Sequence, residues 1–351
     1  MTTEQVGTAT GQNGVSTGQA VVLDGPGAFR LVDHTPRSPG PGEVLVRVHA
    51  AGVCGSDREV YQGNRPEGYV RYPVTPGHEW SGTVAGAGEG VPAALVGRKA
   101  VGAGFRNCQV CERCHAGDTT LCAAGYEETG FTQPGAMAPT LTLPARLLHL
   151  LDDAADLTAA ALLEPAACVA AAVLKADIRA GDKVAVVGAG TLGLLAAQLL
   201  RTASPAALLM VGLDAERATL AAEFGATDYR TPEAAAGLGG YDVVVEAAGS
   251  ATAARAAAGL LRRGGRLVLT GLPAPGAEGL DPAELVVRQT EVRTVFGAPP
   301  AAWAHAVRAF TAGLLAPLPL VTHRLPLTEY EQALTLTGSG DPAVGKVLLH
   351  P

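Results

Sequence analysis

From about Ala20 to Leu150, apolar positions fall in short β-branched runs cut by glycine and proline, as in Ala20–Leu23, Glu43–Val48 and Gly82–Val84. The breaks, such as Ser38-Pro-Gly-Pro-Gly42 and Thr75-Pro-Gly77, carry turn chemistry, so this stretch predicts an irregular, mostly β region. From Ala160 to about Gly297 the rhythm changes. Apolar strands at Lys183–Val187, Ala207–Leu213, Asp242–Glu246, Arg266–Thr270 and Val292–Phe296 alternate with helical segments rich in alanine and leucine. That alternation is the βαβ pattern of a doubly wound parallel sheet, which makes the fold class α/β. A helix over Ala301–Leu315, then Leu318–Leu325 and a strand ending in Gly345-Lys-Val-Leu-Leu349, are expected to return to the first region. Residues 1–19 are polar and rich in Gly and Thr, and read as a flexible tail rather than a signal peptide.

A chain of 351 residues can fill two domain cores. Its net charge is −7 and no block of lysines or arginines occurs, so neither nucleic acid nor an anionic membrane is an expected partner. The longest apolar stretches are interrupted by Glu164, Lys175 or Arg201, short of a membrane span. Six cysteines, five of them assigned to metal below, fit a reducing compartment and a cytoplasmic location.

The strongest chemical signal is the run Cys108-Gln-Val-Cys111-Glu-Arg-Cys114-His-Ala-Gly-Asp-Thr-Thr-Leu-Cys122. Thiolates this closely spaced can converge on one ion, and four protein ligands leave no open position, so the expected zinc is structural. The plain alternatives are buried cysteines or two disulfides. A second signal is Val184-Ala-Val-Val-Gly188-Ala-Gly190-Thr191-Leu192-Gly193, a G-x-G-x-x-G directly after a strand and at a helix start. Gly188 allows the tight turn, Gly190 lets backbone approach a pyrophosphate, and Gly193 lets helix pack on strand. The phosphates of a dinucleotide would sit on the helix N-terminus. Asp214, 21 residues after Gly193, lies near the place where an acid takes ribose hydroxyls. Cys54, His78 and Glu164 are each plausible zinc ligands, and three ligands leave a position open to substrate. Taken singly, each is more simply a core cysteine, a satisfied histidine and a charge at a helix start.

Together these motifs resemble the zinc-dependent medium-chain dehydrogenase family, nearest its sorbitol (polyol) and threonine dehydrogenase branch, over about residues 20 to 351. The likeness rests on Gly42-Glu-Val-Leu-Val-Arg47, Gly52-Val-Cys-Gly-Ser-Asp57, Gly77-His-Glu-Trp-Ser-Gly82, the four-cysteine run, Glu164-Pro165, the glycine turn and Gly345-Lys-Val-Leu-Leu349. It implies a GroES-like catalytic domain over 20–159 and 298–351 with a zinc lobe at 106–124. A Rossmann coenzyme domain over 160–297 is implied beside it, with a catalytic zinc in the cleft between them.

Carried over by position, the resemblance makes Cys54 and His78 zinc ligands and Glu164 the third, with Cys168 one helical turn on as a competitor. Glu79 stands where a family residue can approach or replace a ligand, and Asp57 would orient His78. Two zincs per chain are therefore expected. Zinc would lower the pKa of a substrate alcohol, the Ser56 hydroxyl would pass its proton on, and hydride would go to the nicotinamide. Many relatives carry a relay histidine three residues after the serine. Here that position is Glu59, a weaker base. The family's usual acidic coenzyme position falls on Gly212, which with Arg217 leaves room for NADP, whereas Asp214 would repel a 2′-phosphate. NAD is favoured and NADP remains open. The loop Gly135-Ala-Met-Ala-Pro139 departs from its relatives, so polyol specificity is not copied across.

Tyr61, Tyr126, Phe131, Met137 and Trp303 are further candidates for the pocket. The expected reaction is interconversion of a secondary alcohol (polyol, cyclitol, sugar or amino-alcohol) and its ketone. An alkene reductase that has lost the catalytic zinc and a non-catalytic nucleotide sensor are the alternatives. A homodimer or homotetramer is expected, with Val292–Phe296 an apolar edge able to pair across a two-fold.

Overall fold

The computed structural model describes residues 18–273 and 276–351. The tail expected over 1–19 lies outside the described residues up to position 17, and Gly18 and Gln19 open a strand. Strands β1 (Gly18–Gly25) and β2 (Ala28–His34) form an antiparallel hairpin. They precede β3 (Glu43–Val53), β4 (Glu79–Ala87), β5 (Lys99–Gly102), β6 (Thr140–Pro144) and β7 (Leu148–Leu150). The eleven residues of β3 are the organiser of this region. They pair antiparallel with β4 along most of their length and with β6 at the start.

The parallel sheet follows, with β8 (Lys183–Val187), β9 (Ala207–Val211), β10 (Asp228–Arg230), β11 (Tyr241–Glu246), β12 (Leu261–Leu269) and β13 (Glu291–Thr294). Its order is β10-β9-β8-β11-β12-β13. This is the doubly wound Rossmann order, and the crevice for a ligand opens where the winding reverses, beside β8. Helices on both faces explain why β8 buries four consecutive residues instead of alternating.

The chain then returns. Strand β14 (Val321–Pro326) pairs parallel with β15 (Lys346–His350), which pairs antiparallel with the end of β3. The structure departs from the periodicity reading in several places: β10 is not among the predicted strands, β9 ends two residues early, and β12 begins five residues earlier, at Leu261. The last parallel strand starts at Glu291 and stops at Thr294, because an edge strand is wet on both faces and carries polar residues. Phe296 leaves the sheet to pack edge-on against Phe105, centroids 5.8 Å apart. The late helix spans Pro300–Thr311, beginning on a proline whose fixed φ suits a first turn.

Helix Leu163–Ala176 lies at the centre of the molecule, nine of its residues buried. Its alanines let helices Thr191–Arg201 and Pro300–Thr311 approach closely. Trp303 on the latter stacks flat on His149 of β7, centroids 4.7 Å apart at 6°. No helix among the described residues is long and apolar enough to cross a membrane.

Candidate metal and coenzyme sites

The four cysteines sit on a loop between β5 and β6, around the single turn Glu112–His115. Their sulfurs all lie within 4.8 Å of one another, and all six cysteines of the chain are free thiols. The Cys108 amide donates to Cys122 Sγ at 3.3 Å. Amides of Ala123 and Cys114 draw the Cys111 thiol down to about 6, and those of Cys108 and Ala124 lower Cys122. Cys114 is pushed up to about 12, by desolvation and by its three sulfur neighbours. Four thiolates cannot all ionise in one knot without a cation among them, so this donor set fits zinc. Arg146 braces the loop by donating to the Asn107 carbonyl at 2.7 Å.

The second cluster is assembled from distant positions. Cys54 follows β3 and caps helix Gly55–Gln62, while Glu79 opens β4 directly after His78. The β3–β4 register sets Gly52 opposite Glu79 and so carries Cys54 to His78. Donor atoms of Cys54, His78 and Glu79 lie within 4.8 Å of one another, with Asp57 Oδ1 and His78 Nδ1 buried and lacking hydrogen-bond partners. A soft thiolate, an imidazole and a carboxylate are a donor set that suits zinc.

Asp57 is fully buried, accepts the Cys54 amide at 2.9 Å and stands 3.6 Å from His78 Nδ1. Burial opposes a charge on His78, but Asp57 and then Cys54 carry it well above its ordinary range. Ser56 Oγ lies 3.4 Å from His78 Nε2.

Glu164, from the first turn of helix Leu163–Ala176, is not one of the three converging groups. Burial, ahead of the charges of Glu79 and Glu128, pushes its carboxyl up to about 7. It accepts the Cys168 thiol at 3.4 Å, so these two candidates are engaged with each other. Glu79 instead forms a buried ion pair with Lys346. Glu59 stands one turn beyond Ser56, 38% exposed, 3.5 Å from Arg65. The Arg65 guanidinium lies over the Phe131 ring at 3.9 Å and donates to the Tyr126 hydroxyl at 2.9 Å, and Tyr126 donates to buried Glu128. Phe131 in turn packs on the His78 ring, centroids 4.7 Å apart. Of the other pocket candidates, Met137 and Trp303 are core, and Tyr61 packs on Phe29 and Tyr330.

A cavity of about 930 Å³ opens beside β8. Gly188, Gly190, Gly212, Asp214 and Arg217 line it, together with the segment before β15. Gly188 turns at φ +115°, with the Ala248 amide packed where a side chain would stand. Gly190 caps helix Thr191–Arg201, whose first residues Thr191, Leu192 and Gly193 offer amides without intrahelical partners. Gly212 carries no acid for a steric reason: the Tyr229 hydroxyl, held by the Asp214 carbonyl at 2.7 Å, and Ala189 fill the space of any side chain there. Arg217 donates to the carbonyls of Ala189, Pro342 and Val344, each at 2.9 Å.

Lys346, Arg65 and Tyr229 were not anticipated from the sequence. Only Lys346 carries a local signal there, since a lysine inside the apolar run Lys346–His350 requires a buried acid.

Residues 40–153 match the alcohol dehydrogenase GroES-like domain, and residues 191–312 match the zinc-binding dehydrogenase domain. The chain is 32% identical to the sorbitol dehydrogenase of Halalkalibacterium halodurans over 93% of its length and 97% of that protein. It is 29% identical to an L-threonine 3-dehydrogenase of Coxiella burnetii, over 93% of this chain and 96% of that one. A thermostable alcohol dehydrogenase from Pyrobaculum aerophilum superposes with a TM-score of 0.87 at 32% identity, covering 95% of this chain and 99% of that one. Likeness at this level across nearly the whole chain means that it belongs to the zinc-dependent medium-chain dehydrogenase family and is a dehydrogenase.

Proposed function

We propose that the protein interconverts a secondary alcohol and its ketone with a nicotinamide coenzyme, the alcohol being a polyol, cyclitol, sugar or amino-alcohol. The observation that carries this is the convergence of Cys54, His78 and Glu79 next to a segment that also walls the dinucleotide-sized cavity. Zinc, when bound, supplies a Lewis acid toward the substrate oxygen, and the nicotinamide supplies the hydride acceptor. Cys54 and His78 are the fixed donors, and the carboxylates of Glu79 and Glu164 are the two that can complete the set. Asp57 holds the His78 ring in place. Ser56 receives the substrate proton, and Glu59 is the next carboxylate outward, its position set by Arg65.

The four-cysteine loop takes a second, structural zinc. NAD is the preferred coenzyme: Asp214 faces the cavity, and Arg217 is already committed to three carbonyls instead of a phosphate. The division into 20–159 with 298–351 and 160–297 is the domain arrangement we assign. Dimerisation would use the β13 edge, beside which Val286 is 76% and Val287 68% exposed.

The test is initial rates with NAD and NADP over polyols, cyclitols, sugars, amino-alcohols and simple secondary alcohols. One class turns over, and Cys54→Ala lowers that rate by about 10³ or more, the several kcal/mol a catalytic metal supplies. A wild-type protein holding one zinc per chain would overturn the reading in favour of the alkene reductase.

A further inference from the structure

The segment joining helix Tyr330–Thr337 to β15 touches both sites at once. On one side its residues Ser339, Gly340, Asp341, Val344 and Gly345 wall the coenzyme cavity. Its carbonyls at Pro342 and Val344 are gripped by Arg217 Nη2 at 2.9 Å, while Nη1 of the same planar group holds Ala189 in the glycine turn at 2.9 Å. On the other side, two residues beyond Val344, the Lys346 ammonium is paired with Glu79. Both side chains are nearly inaccessible, at 5% and 1% exposure. Leu348 of β15 and Glu79 of β4 flank Gly52 of β3 in register, so the pair forms across β3 at a position without a side chain. Glu79 is also one of the three groups whose donors converge.

The geometry points to Arg217 as a positioning residue that acts through residues 342–346 on Lys346, and so sets how far the Glu79 carboxylate can lean toward Cys54 and His78. This rests on the zinc and coenzyme reading above. Two hydrogen bonds from one rigid fork, which a third ties to the glycine turn, fix the segment, and the short step from Val344 to Lys346 leaves little slack. Lys346 cannot withdraw without leaving a buried carboxylate uncompensated, so it moves with the segment and Glu79 follows. Coenzyme filling the cavity meets Arg217, Val344 and Gly345 directly. Occupancy of the cavity and grip on the metal are thereby one linked equilibrium, with the same factor in both directions. An arginine that only touched coenzyme would leave the metal indifferent to its removal.

The experiment follows zinc release from the full-length, zinc-loaded protein into excess chelator without coenzyme, the four-cysteine site serving as internal reference. Arg217→Ala speeds release of one zinc equivalent about tenfold and leaves the other unchanged, within the usual range for coupled sites. Lys346→Met changes the same phase and not the other, and adding Arg217→Ala to it has no further effect. Added NAD slows that phase in the wild type but not in Arg217→Ala. Arg217→Lys, which keeps the charge but can reach fewer carbonyls, falls between and carries the test if the alanine variant does not fold. Weakened NAD binding in Arg217→Ala with wild-type zinc release overturns the proposal, as do independent, multiplying effects of the two substitutions. One zinc per wild-type chain overturns the underlying catalytic-zinc reading, and this proposal with it. Two zincs with release unmoved in Arg217→Ala overturn this proposal alone.

Discussion

The lobe around Cys108 and the centre around Cys54 draw on overlapping donor chemistry at very different chain separations. The lobe takes all four sulfurs from one loop between positions 108 and 122, and its thiols are tuned by amides of the same loop. The centre takes donors from 54, 78 and 79, with the β3–β4 ladder holding them together and a lysine from position 346 facing them. A local cluster closes a short loop at little entropic cost and behaves as a self-contained staple. A cluster spread along the chain exists only as far as the sheet exists. The same separation, however, lets it be coupled to whatever else the sheet touches.

Three perturbations test these differences in placement. The largest effect should come from Cys114→Ser. It should release one zinc, with the lobe's share of a binding free energy on the order of 10 kcal/mol, and open residues 106–124 to protease. Turnover per intact molecule should stay within about twofold, if the lobe is the independent staple its locality suggests. Loss of both zincs would mean the two clusters are not separable. Next, Asp57→Asn keeps an acceptor for the Cys54 amide but removes the charge facing His78. Metal affinity or turnover should fall about 10- to 100-fold with the lobe untouched, measured by zinc titration alongside rates.

The smallest effect concerns the seam where β7 meets helix Pro300–Thr311. Burial lowers the His149 imidazole to about 4, so the folded chain takes up that proton well below the ordinary value of 6.5. The unfolded chain binds it first as pH falls, so this contribution is complete above about 6.5 and shrinks on the way down to 4. The loss between pH 7 and pH 5 should be about 2 kcal/mol. Urea unfolding at the two pH values should show that much less acid sensitivity in His149→Phe, which keeps a flat ring against Trp303. An equal acid slope in both proteins would show that the seam does not carry the proton linkage.

Much of the architecture was legible because its signals are local. The alternation of apolar strands with alanine-rich helices located β8, β9 and β11 to within two residues and the second half of β12, but not the short, polar β10. It missed the limits of β13, where an edge strand need not be apolar. The cysteine spacing of the lobe speaks for itself. Cys54 and His78 are silent as single residues and stood out only through the motifs around them. The pairing of Glu79 with Lys346 depends on the register of three strands, two of them some 260 positions apart in the chain, and periodicity does not encode register across such distances. The Arg65 guanidinium over Phe131 is equally a product of tertiary packing.

Tyr229 has a consequence for the redesign of this protein. Because its hydroxyl occupies the volume above Gly212, an acid cannot arrive at 212 by a single substitution without a clash. Residue 229 has to shrink, giving up its bond to the Asp214 carbonyl, and Ala189, whose Cβ would stand 2.5 Å from the new one, has to give way as well. An acid at 212 therefore calls for prior changes on both sides of that glycine, at 229 and in the turn that carries Ala189. With the tyrosine in place, coenzyme choice has to be altered elsewhere on the cavity wall, where Asp214 stands.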